Sequence, residues 1–138
     1  ADFDYQAFIN FSRLGWCSLA LGTAKAILDY SVTYCNEREA FGEPISHRQS
    51  VAFMVANIGI ELDSMKVLTQ RAVAKAEKGL DFTQEAYLAH VLCGDKAMEI
   101  GTNGVQLLGG HGFTKEHPVE RWYRDMRSIA ICEGGLHL

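Results

Sequence analysis

The sequence predicts an all-α fold, an antiparallel up-down four-helix bundle. Three observations carry this expectation. Only two prolines, Pro44 and Pro118, interrupt 138 residues. Apolar residues recur at helical spacing over long stretches, and no segment alternates apolar and polar positions as a strand would. Short connections between long helices favour antiparallel neighbours. The length is that of one domain, spanning 1–138, and at 48% hydrophobic residues it can bury a substantial core.

The first helix is expected from Tyr5 to Glu37. Leu14, Cys17, Leu21, Ile27, Leu28 and Val32 fall at roughly helical intervals. Gly15 and Gly22 lie seven residues apart on one face, where each costs about 1 kcal/mol of helix propensity; close approach of another helix would explain both. R-E-A-F-G-E-P-I then breaks the pattern through Gly42 and Pro44. A second helix is expected from Gln49 to Lys78, with Val51, Met54, Val55, Ile58, Leu62 and Met65 forming one stripe. Gly79 suits the residue after its end, and Lys75 and Lys78 suit the negative end of its dipole.

Asp81 and Gln84 resemble a capping box opening a third helix, Phe82 to Leu108. The run Gly109-Gly110-His111-Gly112 can turn with positive φ. Pro118 suits the first turn of a fourth, shorter helix ending near Ser128, with Glu120 and Arg124 paired at i, i+4. The apolar run Ile129–Cys132 leads to Glu133, an acid that needs either a structural partner or a chemical task if it is buried.

The bulk numbers exclude several classes. A net charge of −4 offers no broad positive field for nucleic acid. No apolar run approaches the ~20 residues needed to span a bilayer. Cys17, Cys35, Cys93 and Cys132 form no C-x-x-C pair, so they read as reduced packing residues of a cytoplasmic or mitochondrial-matrix protein. Cys132 is singled out because it adjoins Glu133. The five histidines lack H-E-x-x-H spacing, so no zinc site is expected. His111 reads as a loop residue, and Trp16, Trp122 and Tyr123 as packing.

Four blocks then stand in order: R-E-A-F-G-E-P-I with Gln49 following, V-Q-L-L-G-G-H-G-F, P-V-E-R-W-Y-R-D and I-C-E-G. Together they resemble the C-terminal helical domain of acyl-CoA dehydrogenases, over nearly the whole chain. The resemblance implies a three-domain, FAD-dependent enzyme whose N-terminal helical and middle β domains are not in this chain, and whose tail continues past the E-G motif. A domain standing alone would be expected to be inactive, because it lacks the β domain against the flavin ring.

The resemblance also implies roles. Glu133 matches the base that removes the α-proton of an acyl-CoA thioester, while a β-hydride passes to the flavin. A carboxylate in an apolar, partly dry site gains basicity, and a backbone N–H there can support the developing enolate. Gly134 would let the chain turn tightly beside it. Some members carry the base on the first helix, at the position of Ser12, but serine lacks an activating base of its own. That supports Glu133 and a short-, medium- or branched-chain type. Asn10 and Arg13 match substrate-side positions, although an acid is common where Asn10 stands. By its residue type alone, Arg13 also reads as a surface arginine with a buried stem.

Arg38, Phe41 and Gln49 match contacts to the FAD of a neighbouring subunit, the arginine holding its pyrophosphate through a forked guanidinium. Arg38 equally suits a helix C-terminal charge. Gln106, Gly109 and Gly110 match the segment near the adenine end, and the two glycines equally read as a helix cap. A threonine usually follows E-G; Gly135 cannot supply its hydroxyl. Acyl-CoA substrate, an electron-transfer flavoprotein and a homodimer or homotetramer are the implied partners. Two other readings stand beside this one: a non-catalytic helical assembly module, and an acyl-CoA oxidase.

Overall fold

A computed structural model describes residues 3–134. It has α1 Tyr5–Glu37, a two-strand hairpin of β1 Glu39–Ala40 and β2 Glu43–Pro44, α2 Gln49–Glu77, α3 Thr83–Leu108 and α4 Val119–Ile129. Short 3-10 turns lie at Ile45–His47, Gly109–Phe113 and Cys132–Gly134. The expected all-α bundle is the observed fold.

The first helix has the bounds read from the sequence. Asp4 caps it, its Oδ1 accepting the Ala7 N–H at 2.9 Å. Its buried stripe is Asn10, Leu14, Cys17, Ala20, Ala24, Ile27, Ser31 and Cys35. Gly15 and Gly22 are corrections: a Cβ on either would meet nothing within 4 Å, so no described helix approaches them. The close approaches occur on α3 instead. A Cβ on Gly94 would sit 3.3 Å from Ala130 Cα, and one on Gly101 3.3 Å from Tyr123 Cα. These two glycines seat α4 against α3, and Gly104 admits Ile27 of α1. In this way α3 packs on all three other helices, as α1 also does.

The break after α1 is a β-hairpin, which the sequence reading did not contain. Its strands pair Glu39 with Pro44 and Ala40 with Glu43. Phe41 and Gly42 turn it with φ of 59° and 86°. Positive φ at both central residues matches the twist of a two-residue hairpin.

The second helix buries Ile58, Leu62, Met65, Thr69 and Ala72. It ends in a Schellman arrangement: Leu80 N–H reaches Lys75 C=O at 3.0 Å, Gly79 N–H reaches Ala76 C=O at 3.0 Å, and Gly79 has φ 66°. The capping box at α3 is a correction. Asp81 Oδ1 accepts the Thr83 N–H, and Phe82 holds the cap position without a side-chain bond. Glu85 in the next turn is buried and paired with Lys75 at 2.7 Å, which ties the two ends of this connection. Lys75 first, against the cost of burial, holds the Glu85 carboxyl below the usual carboxylate range. Pro118 stands at the N-cap of α4, and Glu120 receives both hydrogen bonds of Arg124, at 2.9 and 3.1 Å. Cys17, Cys35 and Cys93 are buried free thiols, and Cys132 is half-buried.

Candidate functional site

The predicted residues gather in two places. At one end, Cys132–Gly134 folds back onto the start of α1. Glu133 has φ 55° and ψ 28°, left-handed values that a non-glycine residue seldom adopts. Ser12 Oγ donates to Glu133 Oε1 at 2.7 Å. The acid is half-buried rather than frayed into solvent, so the carboxylate has a fixed direction. Gly134 closes this turn. Position 135, where the sequence departs from the expected threonine, lies outside the described residues.

Arg13 follows Ser12. Its Nε is buried without a hydrogen-bond partner among the described residues, and its guanidinium lies 5.4 Å from the centroid of the Tyr87 ring. A buried N–H without a partner inside the fold is uncommon. His90, on α3, is 1% exposed, and its Nε2 likewise has no partner. Burial first, then the Arg13 charge, pushes the His90 imidazole below the usual histidine range, while the Glu133 charge pulls the other way. Asn10 is engaged inside the fold. It is 3% exposed, accepts from Gln6 at 3.0 Å and donates to Thr83 Oγ1 at 2.8 Å. These bonds join α1 to the start of α3.

The second place is a cavity of about 350 Å³ lined by Tyr34, Arg38, Ile45 and residues 106–111. It brings Arg38 together with Gln106, Gly109 and Gly110, two segments about 70 residues apart in the sequence. Arg38 ends α1 as its C-cap, and Gly109 ends α3 with φ 56°. The helix cap read at Gly109 is observed, Arg38 takes its cap position through its backbone N–H to Tyr34 C=O, and the same turns present these groups to the cavity. A forked cation and a side-chain amide supply donors suited to an anionic, phosphate-bearing group, and the glycine backbone lets it approach closely, the Gly109 N–H itself being bonded to Gln106 C=O. Phe41 and Gln49 do not line it. Phe41 stands at the hairpin tip, 94% exposed, with the Arg48 guanidinium 4.8 Å from its ring centroid. Gln49 begins α2, as expected, and faces solvent.

Some members of these clusters carried no sequence signal. Tyr34 donates to or accepts from His111 Nδ1 at 2.8 Å, and Tyr30 pairs with His117 Nδ1 at 2.7 Å. The two imidazoles stack, 5.3 Å apart and 16° from parallel. His111 is thus fastened rather than loose. Only the i, i+4 spacing of the two tyrosines hinted at a shared face. Among the described residues no three His, Cys, Asp or Glu come together as a metal site, and no helix is long and apolar enough to cross a membrane.

From Ser12 to Arg38 the helix α1 runs about 40 Å at its 1.5 Å rise per residue. The two clusters therefore sit far apart on one chain, beyond the reach of a single extended dinucleotide.

Comparison with known proteins gives a consistent picture. Residues 4–136 match the family model described as acyl-CoA dehydrogenase, C-terminal domain. The short-chain specific acyl-CoA dehydrogenase of Bos taurus mitochondria is 40% identical over 126 residues, covering 91% of this chain and 31% of the relative. A subunit of the caffeyl-CoA reductase–Etf complex of Acetobacterium woodii is 36% identical, covering 91% of this chain and 33% of the relative. The butyryl-CoA dehydrogenase structure from Megasphaera elsdenii superposes with a TM-score of 0.90 at 34% identity, covering 93% of this chain and 33% of that one. The chain spans about a third of the length of the curated relatives it matches.

Proposed function

The chain belongs to the acyl-CoA dehydrogenase family, as its C-terminal domain, and on that premise we propose that it serves an FAD-dependent α,β-dehydrogenation of an acyl-CoA thioester with Glu133 as the base. The observation that supports this most is the setting of Glu133. A carboxylate held by a 2.7 Å hydrogen bond, on strained backbone, is an oriented group. Oriented carboxylates accept protons efficiently because the entropy of alignment is already lost. Arg13, the residue after Ser12, contributes a positive charge and a buried N–H with no partner among the described residues.

FAD, when bound, supplies the hydride acceptor. The Arg38 cavity suits its diphosphate, through Arg38, Gln106 and the exposed backbone of Gly109 and Gly110. Phe41 and Gln49 extend that contact from the hairpin and the start of α2. Because this cavity and Glu133 lie at opposite ends of α1, one cofactor serves the cavity and another the base. That separation supports a homodimer or homotetramer in which FAD contacts cross between subunits. An exposed row of Phe53, Ile60 and Val67 at seven-residue spacing on α2 also favours assembly. The same row is the observation behind the second reading, an assembly module that makes subunit contacts without chemistry.

The relative named as a subunit of a caffeyl-CoA reductase–Etf complex supports an electron-transfer flavoprotein as the redox partner, rather than oxygen as in an oxidase. The mitochondrial name of the bovine relative is compatible with a matrix or cytoplasmic setting. Short, medium or branched acyl chains fit the position of the base.

The test uses the full-length protein that carries this domain. Acyl-CoAs of graded length are added without oxygen, and the visible flavin absorbance is followed in wild type and Glu133→Gln. Bleaching in wild type alone is expected. Equal bleaching in both, or no bound flavin, overturns the reading.

A further inference from the structure

We propose that Ser12 is a positioning residue for Glu133, a clamp from α1 that holds the carboxylate in its working direction. This rests on the reading of Glu133 as the base. Three observations carry it. The hydroxyl meets Glu133 Oε1 at 2.7 Å, the length of a strong O–H···O⁻ bond. The bond joins residues 121 apart in sequence, so it fastens the chain's last described turn to its first helix. Glu133 itself has left-handed backbone angles, a conformation that a non-glycine residue keeps only where its surroundings enforce it.

The geometry divides the two carboxylate oxygens. Oε1 is taken by Ser12, and no side chain among the described residues donates to Oε2. Oε2 is the oxygen left to receive a proton. When the base acts, the α-carbon's C–H bond breaks, its electron pair remains as the enolate, and the proton moves to Oε2. Ser12 neither gives nor takes a proton in this step. Among the described residues its hydroxyl donates to the Glu133 carboxylate, and it keeps its own proton because an aliphatic alcohol is a far weaker acid than the carboxyl group it faces. Its contribution is alignment: a carboxylate free to rotate would spend most of its time aimed away from the substrate, and misplacement by about 1 Å costs on the order of a hundredfold in rate.

Proton abstraction can be read without hydride transfer. 3,3-Dimethylbutyryl-CoA has α-hydrogens but no β-hydrogen, so it can exchange with solvent yet cannot be dehydrogenated. Deuterium uptake at its α-carbon in D2O is measured by mass spectrometry on the full-length protein, with and without added FAD. Wild type, Glu133→Gln, Ser12→Ala, Ser12→Thr and Ser12→Cys are compared. The thiol keeps the size of serine but is a weak donor.

Exchange in wild type, its loss in Glu133→Gln, a fall of about tenfold to a hundredfold in both Ser12→Ala and Ser12→Cys, and its retention in Ser12→Thr are expected. Wild-type exchange in Ser12→Cys, with Glu133→Gln still dead, overturns the clamp and leaves the base reading intact. Absence of exchange in wild type, or full exchange in Glu133→Gln, overturns the base reading itself. The thermal midpoint and the affinity for the CoA ester are recorded for each variant. A fall in exchange that tracks a fall in midpoint across all three Ser12 variants, threonine included, assigns Ser12 to folding and overturns the proposal.

Discussion

Gly104 of α3 lies so close to Ile27 of α1 that a Cβ built on the glycine would stand 2.6 Å from Ile27 Cγ2. Ile27 is wholly buried, and as a β-branched side chain it has little rotamer freedom with which to yield. Gly104→Ala gains up to about 1 kcal/mol of helix propensity, but overpacking a filled core costs about 1–3 kcal/mol. The expected outcome is a lower thermal midpoint. Gly15→Ala, on the open face of α1, meets nothing within 4 Å and is expected to raise it. Thermal unfolding followed by circular dichroism decides both. Equal effects of the same sign would show that packing at Gly104 is looser than the structure has it.

His90 gives the domain a pH dependence of known sign. Its proton affinity in the folded state is below the ordinary value of about 6.5, through burial first and the Arg13 charge second. As pH falls through about 6.5 the unfolded chain takes up a proton that the folded one refuses. Stability is therefore full above that pH and declines below it, with a slope of at most about 1.4 kcal/mol per pH unit for this one group. Denaturant titrations at stepwise pH from neutrality to pH ~5 are expected to show a shallower decline in His90→Gln than in wild type. An unchanged slope would mean that another group carries the proton.

Arg38 offers a graded test of the cavity. Charge-assisted hydrogen bonds are worth about 1.5–3 kcal/mol, so Arg38→Ala is expected to weaken FAD binding by about tenfold or more. Arg38→Lys keeps the charge but loses the fork, and is expected to fall between wild type and alanine. Flavin retention by the full-length protein on dilution measures it. Equal retention in all three would confine Arg38 to its role at the end of α1.

The helices were largely legible because their signals are local. The stripe from Val51 to Met65, Gly79 after α2 and Pro118 before α4 each act within one or two turns. The hairpin was not legible: strands of two residues are too short to show alternation. Glycine on a helix signals close approach, yet Gly15 and Gly22 face open space while Gly94, Gly101 and Gly104 admit their neighbours. Periodicity gives the faces of a helix without saying which neighbour each one meets.

The sites divide in the same way. The helical bundle, the family and the residue types follow from spacing, composition and short motifs along the chain, so they are legible without coordinates. Packing in three dimensions sets the rest: Ser12 bonds Glu133, Asn10 is engaged by Gln6 and Thr83, and Arg38, Gln106, Gly109 and Gly110 share one cavity while Phe41 and Gln49 stay outside it. Hydrogen bonds and cavities depend on distances of a few ångströms between residues up to 121 positions apart. Such distances exist only once the apolar stripes have packed and fixed the rotation and depth of each helix against the next.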